Sequence, residues 1–315
     1  MRAVRSTGDL SDKVVVVDVD EPPGSGELVQ IRSASICSSD LMYIGYGFQR
    51  ILGHELAGTR ADGSPVVVEA LFGCGTCAEC RRGRYNLCPA HHERALGVTI
   101  DGGMAEWYRA PSDHLVPLPA ELDIRDAALV EPASVSWHAL RLASTGPDTR
   151  VAIVGAGGLG LLAAVGARHL GAPEVAIEAR HDHQREAAER LGATVGTDGL
   201  YDVVIEAAGT EQSLARCTEL VAPRGTIAVV GVHTGATLAV PWHPLFMREA
   251  QIVPSLGYGS HDGRPEMADV AAMLADDPEI ACTVITHRFP LEDAPEAFRV
   301  AADKSSGAIR VVLEP

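Results

Sequence analysis

Hydrophobic and polar positions change their spacing near residue 130. Before that point short β-rich runs, Val14–Val17, Leu28–Ile36 and Pro65–Ala70, are separated by turns rich in Gly and Pro. That pattern predicts a small barrel. Beyond it, continuous apolar runs alternate with helical spacing. Val151–Val154 predicts a buried strand and Leu159–Leu170 a helix, followed by strand Val175–Ala179 and helix Gln184–Leu191. Strand Val203–Ala207, a helix around Gln212–Leu220, and strands Thr226–Val230 and Gln251–Pro254 complete the series. Such alternation predicts an α/β fold with a doubly wound parallel sheet. The last stretch is mixed: Ala294–Ala302 has helical spacing and Ala308–Leu313 strand character. It is expected to rejoin the first domain, giving a discontinuous domain 1–127 with 259–315 and an inserted domain 128–258.

Composition narrows the function classes. The 315 residues carry a net charge of −16, which argues against a nucleic-acid partner, because phosphate binding relies on clustered Lys and Arg. The one basic cluster, Arg81, Arg82 and Arg84, is expected to form a solvated face. Apolar residues make up 46% of the chain, yet no run is long enough to span a membrane. The opening MRAVRSTGDLSDK has no apolar run after its charges, so a secretory signal is not expected. A cytoplasmic location follows as the expectation. Internal repeats and low-complexity segments are not evident.

Four of the seven cysteines, Cys74, Cys77, Cys80 and Cys88, fall in the single stretch CGTCAECRRGRYNLC. Paired Cys-x-x-Cys spacing lets thiolates converge on one zinc ion. Disulfides between cysteines so close in sequence rarely meet the required geometry, and a reducing cytosol disfavours them. Four thiolates leave no open position, so the expected role is structural.

The turn VAIVGAGGLGLLAA places Gly155, Gly157 and Gly160 directly after an apolar strand and at the start of a helix. This is the context that a dinucleotide-binding turn requires. Gly155 makes the tight turn, Gly157 admits a pyrophosphate, and Gly160 allows close helix–strand packing. The next strand, EVAIEARH, puts Ala179, Arg180 and His181 at its tip. A missing carboxylate followed by a guanidinium suits the 2′-phosphate of NADP, with Arg185 as a second cation. Shifting the register by one makes Glu178 a ribose ligand and NAD the cofactor. The expected cofactor-binding set also includes Gly158 and Leu159 in the turn, and Ala208 and Gly231 just after two later strands.

A second constellation lies in the first domain. Cys37 precedes a polar pair able to start a helix in SICSSDLMY, and a helix N-terminus makes a thiol a better metal ligand. His54 and Glu55 are adjacent in ILGHELAG, and Glu131 occurs in LVEPASVSWHAL. One thiolate, one imidazole and one carboxylate would make an open, catalytic zinc site.

In order along the chain, ICSSD, GHELAG, the four-cysteine loop, GGMAEW, EPASVSWHAL and VGAGGLG resemble the zinc-containing medium-chain alcohol and polyol dehydrogenases. The resemblance runs from Leu28 to the terminal IRVVLEP. It implies a GroES-like β-barrel catalytic domain interrupted by a Rossmann domain, two zinc ions per chain, and hydride exchange between NAD(P) and an alcohol, polyol or carbonyl compound. Homodimers or homotetramers are expected. Cys37 and His54 are then catalytic-zinc ligands, Asp40 orients the His54 ring, and Ser39 bonds the reacting oxygen. The Glu-Pro at Glu131 is similar to the sorbitol and threonine dehydrogenase branch, in which either Glu55 or Glu131 can approach the metal. Two departures stand out. Met42 occupies the place where many relatives end their proton relay with histidine, leaving water or a hydroxyl such as Tyr43. The stretch between Cys37 and His54 is also short, which would reshape the substrate pocket. The alternative readings are a non-catalytic, zinc-stabilised nucleotide-binding homologue and a zinc-free quinone reductase. The latter branch lacks a four-cysteine loop.

Overall fold

The β-rich first part of the chain begins with an antiparallel pair, β1 (Arg2–Ser6) and β2 (Val14–Asp18). There follow β3 (Glu27–Ser35), α1 (Ser38–Gly45), β4 (Glu55–Thr59), β5 (Pro65–Val68), a short α2 (Ala78–Arg81), β6 (Trp107–Ala110) and β7 (Leu115–Pro117). The alternating middle comprises α3 (Val130–Leu142), β8 (Arg150–Val154), α4 (Gly158–His169), β9 (Glu174–Glu178), α5 (Asp182–Arg190) and β10 (Thr194–Val195). It continues with β11 (Tyr201–Glu206), α6 (Glu211–Leu220), β12 (Val221–Val229), α7 (Trp242–Arg248) and β13 (Gln251–Pro254). The last part holds β14 (Ser260–His261), β15 (Arg264–Pro265), α8 (Glu266–Asp276), α9 (Glu279–Val284), β16 (Ile285–Pro290), α10 (Ala294–Ala302) and β17 (Arg310–Glu314). These elements come from a computed structural model that describes residues 1–235 and 237–315.

The chain divides into two units, Met1–Glu131 with Gly259–Pro315, and Pro132–Tyr258. In the first, one sheet runs β16-β17-β3-β4-β5-β7, with β6 also paired to β3. Its core includes Val29, Ile31, Leu56, Val66, Phe298 and Leu313, all close to fully buried. The terminal strand does rejoin this sheet: Val312 and Leu313 pair antiparallel with Ser35 and Ala34 of β3. That pairing is what later brings β17 beside the metal-type residues at the start of α1.

In the second unit six strands run β10-β9-β8-β11-β12-β13, and every pairing is parallel. Strand order reverses between β8 and β11. Ligands of such sheets bind outside the carboxyl ends of the strands at that reversal. Two boundaries differ from expectation. Extended backbone starts at Val221, directly after α6, with a register shift opposite β11. β9 ends at Glu178, one residue short of the expected Val175–Ala179, so Ala179 lies beyond the strand. The buried side chains of β9 are Val175, Ala176 and Ile177. Burial on both faces removes the alternation from which a register could be read.

Candidate metal centres and nucleotide site

The four loop cysteines converge. One sulfur from each of Cys74, Cys77, Cys80 and Cys88 lies within 4.8 Å of the others, and all four thiols are free of disulfides. The Cys77 N–H donates to Cys74 Sγ at 3.3 Å, Cys80 N–H to Cys77 Sγ at 3.4 Å, and Cys74 N–H to Cys88 Sγ at 3.3 Å. Such donors favour thiolates. Bonds from Thr76 and the Cys77 N–H hold the Cys74 thiol down at about 5, whereas burial pushes Cys80 up to about 12. Four sulfurs this close cannot all carry charge unless a cation balances them. The donor set therefore fits zinc. Two of the three arginines in the basic cluster beside it are paired at the surface, Arg82 with Glu79 at 2.9 Å and Arg84 with Glu79 at 2.7 Å.

Cys37, His54 and Glu55 form the other such group among the described residues, again with ligand atoms within 4.8 Å. Cys37 caps α1, and its N–H donates to Asp40 Oδ2 at 3.0 Å. The same carboxylate, fully buried, turns Oδ1 towards His54 Nδ1 at 3.4 Å. This is an ion-pair separation rather than an aligned hydrogen bond. His54 Nε2 lies 3.4 Å from the Ser39 hydroxyl. Burial opposes charge on the His54 ring, but Asp40 and Cys37 outweigh it and hold the ring well above the ordinary imidazole range. A buried thiol–imidazole–carboxylate group of this kind attracts a cation and leaves a fourth place for an oxygen ligand.

Glu55 is not a lone carboxylate. The Arg310 guanidinium, from the first residue of β17, donates through Nη1 to both Glu55 oxygens at 2.8 Å. Both side chains are buried. Arg310 is raised above its ordinary value: burial works against its charge, and Glu55, Cys37 and Glu131 override it. Glu131, buried in the first turn of α3, lies outside the close group of ligands. Tyr43 packs on Phe48 with ring centroids 5.7 Å apart, and burial raises its hydroxyl above the ordinary range.

The glycine turn sits between β8 and α4. Gly155 has φ +110°, and a Cβ on Gly160 would stand 1.8 Å from the Gly155 oxygen, so neither position admits a side chain. A Cβ on Gly157 would meet nothing within 4 Å, leaving open space at the N-terminus of α4. That opening, with backbone N–H groups behind it, fits a pyrophosphate. Past β9, Arg180 and Arg185 are exposed and His181 starts α5. Arg185 donates to Asp182 at 2.7 Å.

Three residues of these sites escaped the sequence reading. Arg310 is one; a charged residue opening an apolar terminal strand was the available signal. Arg216 of α6 is another; its Nε donates to Glu178 Oε1 at 2.9 Å. The third is Glu206, fully buried at the end of β11. Its Oε1 accepts from Ala208 N–H at 2.9 Å and Gly209 N–H at 2.8 Å, and its backbone oxygen from Gly231 N–H at 3.1 Å. Glu206 thus ties together the two turns that carry Ala208 and Gly231.

Comparison with known proteins places this geometry. Residues 25–120 match the alcohol dehydrogenase GroES-like domain, and residues 158–275 match the zinc-binding dehydrogenase domain. Sorbitol dehydrogenase of Bacillus subtilis is 32% identical over 323 residues, covering 91% of this chain and 90% of its own. Galactitol-1-phosphate dehydrogenase from Escherichia coli superimposes over the full length of both chains with a TM-score of 0.89 at 26% identity. A zinc-binding dehydrogenase from Sinorhizobium meliloti, solved bound to NADP, gives 0.86 at 28% identity, covering 100% of this chain and 99% of its own. With both domain models in order and a relative of this identity aligned nearly end to end, the chain belongs to the zinc-containing medium-chain alcohol and polyol dehydrogenases.

Proposed function

We propose that the protein is an NADP(H)-preferring, zinc-dependent oxidoreductase that interconverts a secondary alcohol or polyol with its carbonyl compound. The observation that carries this reading is the open ligand group: Cys37, His54 and Glu55 within 4.8 Å of one another, with the Ser39 hydroxyl 3.4 Å from the His54 ring. The polyol class is taken from relatives named for sorbitol and D-altritol. The non-catalytic alternative has no use for an open site beside a closed one.

In this reading Cys37, His54 and Glu55 hold a catalytic zinc, with Glu131 the other carboxylate near enough to act electrostatically on the same region. Cys74, Cys77, Cys80 and Cys88 hold a second, structural zinc. When bound, zinc supplies a Lewis acid for the reacting oxygen, and the nicotinamide carries the hydride. Ser39 receives the proton of the alcohol and passes it outward. Met42 has no proton to exchange, so the relay continues through water or the Tyr43 hydroxyl. Asp40 fixes the His54 ring from behind.

The inserted unit supplies the nucleotide site. Gly155, Gly157, Gly158, Leu159 and Gly160 cradle the pyrophosphate, and Ala208 and Gly231 line the later turns. Preference for NADP rests on Ala179, Arg180, His181 and Arg185 after β9, where the one carboxylate, Asp182, is paired with Arg185. Glu178, on which an NAD reading depends, is already bonded to Arg216 and Thr197. A homodimer or homotetramer is supported by Trp242, Phe246 and Met247, 65–70% exposed on α7, and by the position of β13 at the end of its sheet. No helix among the described residues is long and apolar enough to cross a membrane. Thiol ligands need a reducing compartment, which supports a cytoplasmic location.

The test is a screen of polyols and their ketoses with both cofactors, on zinc-loaded and chelator-treated protein. Turnover that needs zinc and favours NADP is expected; turnover indifferent to zinc would refute the mechanism. Replacing Ala179 with Asp and Arg180 with Ile should move cofactor preference towards NAD, measured as the ratio of kcat/KM values. A wild-type protein that already prefers NAD would refute the cofactor assignment.

A further inference from the structure

The carboxylate absent at Ala179, just past β9, is present one residue earlier at the strand's end, and it is occupied. Glu178 Oε1 accepts from the Thr197 hydroxyl at 2.6 Å and from Arg216 Nε at 2.9 Å. Arg216 Nη2 also donates to the Thr197 hydroxyl at 3.0 Å, and its Nη1 donates to Glu219 at 2.7 Å. Thr197 follows β10, and Arg216 comes from α6. A group from the loop after β10 and one from α6 therefore converge on one oxygen of one side chain.

We propose that Arg216 is a specificity-determining residue of the cofactor site: by neutralising Glu178 it lets a 2′-phosphorylated ribose approach the tip of β9. This rests on the NADP reading above. A free carboxylate at the end of this strand accepts hydrogen bonds from an unphosphorylated ribose and repels a phosphate. Bound by a guanidinium and a hydroxyl, Glu178 does neither. The geometry separates this role from a folding role. The Glu178 and Arg216 side chains are 29% and 38% exposed, and ion pairs that water reaches contribute little to stability. The same exposure leaves the carboxylate accessible to a ligand once its partner is removed. Arg216 acts through Glu178 and is not placed on the phosphate itself.

The experiment measures dissociation constants of NADPH and NADH for the full-length protein, from the fluorescence of the bound reduced nicotinamide. Four proteins are compared: wild type, Arg216→Met, Glu178→Gln and the double variant. Arg216→Met should lower the preference for NADPH over NADH about tenfold, mainly by weakening NADPH. Glu178→Gln should keep the wild-type preference or raise it. The double variant should return to within about threefold of wild type, because the exposed charge is gone. Three results would overturn the proposal: an unchanged ratio in Arg216→Met, equal weakening of both cofactors, or a double variant as poor as Arg216→Met. The last would put Arg216 on the phosphate directly. A wild-type protein that binds NADH more tightly defeats the NADP reading alone, since the direction of change among the variants still decides the role of Arg216.

Discussion

Both cysteine-bearing sites lie in the first unit, and they are built in opposite ways. Cys74, Cys77, Cys80 and Cys88 come from one loop, and backbone N–H groups of that loop bond its own sulfurs. Cys37, His54 and Glu55 come from the cap of α1 and the start of β4, and the last strand adds Arg310. The loop satisfies itself with four like ligands and has no vacancy for chemistry. The dispersed site mixes three ligand types and keeps its carboxylate on a guanidinium. In the proposed reading, closure suits a structural ion and incompleteness suits a reacting one.

Single substitutions can break this contrast. Cys37→Ser should cost the most, with turnover falling by about three orders of magnitude or more through loss of the Lewis acid. Zinc content should fall from two ions towards one per chain, while NADPH affinity survives, because the nucleotide turn belongs to the other unit. Normal turnover in this variant would end the reading of the dispersed site. Cys80→Ser is the mirror experiment. One zinc should be lost, with several kcal/mol of stability, because binding free energy at a structural site is folding free energy. Thermal unfolding with metal analysis checks it, and an unaltered melting temperature would deny the loop its structural role.

Smaller effects sharpen the comparison. Arg310→Met should leave Glu55 buried without its partner, a loss of about 3–5 kcal/mol when one member of a buried pair is removed. If Glu55 turns to the metal, added zinc should recover much of that loss, as a larger zinc-induced rise in melting temperature than wild type shows. An equal rise in both proteins would exclude Glu55 as a ligand and leave Glu131. Glu79→Ala should do least. It removes the exposed pairs to Arg82 and Arg84, and zinc content and melting temperature should not move, because such pairs are screened by water.

Legibility divided along the same line. The cysteine loop was readable because its ligands and spacing lie within a few turns of chain. The glycine turn was readable for the same reason: strand, turn and helix N-terminus are consecutive. The carboxylate was not. Glu55 and Glu131 are equally plausible by residue type, and only folding puts Glu55 with Cys37 and His54. At β9 the sequence offered two registers. The structure ends the strand at Glu178, and Arg216, 38 positions away, occupies the side chain on which the other register depends. Glu206 gave no signal as a carboxylate in an apolar run, yet it organises two turns.

From the order of its residues alone, this chain determines a parallel doubly wound sheet, a glycine turn of dinucleotide type, a four-cysteine loop and the types of group in a candidate open metal site. Each depends on periodicity or on contacts between near neighbours. Tertiary structure decided which charged groups neutralise one another. Arg310 lies 255 positions from Glu55, and a buried charge needs a partner whatever the separation. Strand order selects that partner: β17 pairs with β3, which pairs with β4, and so the last strand brings its arginine to the carboxylate that begins β4.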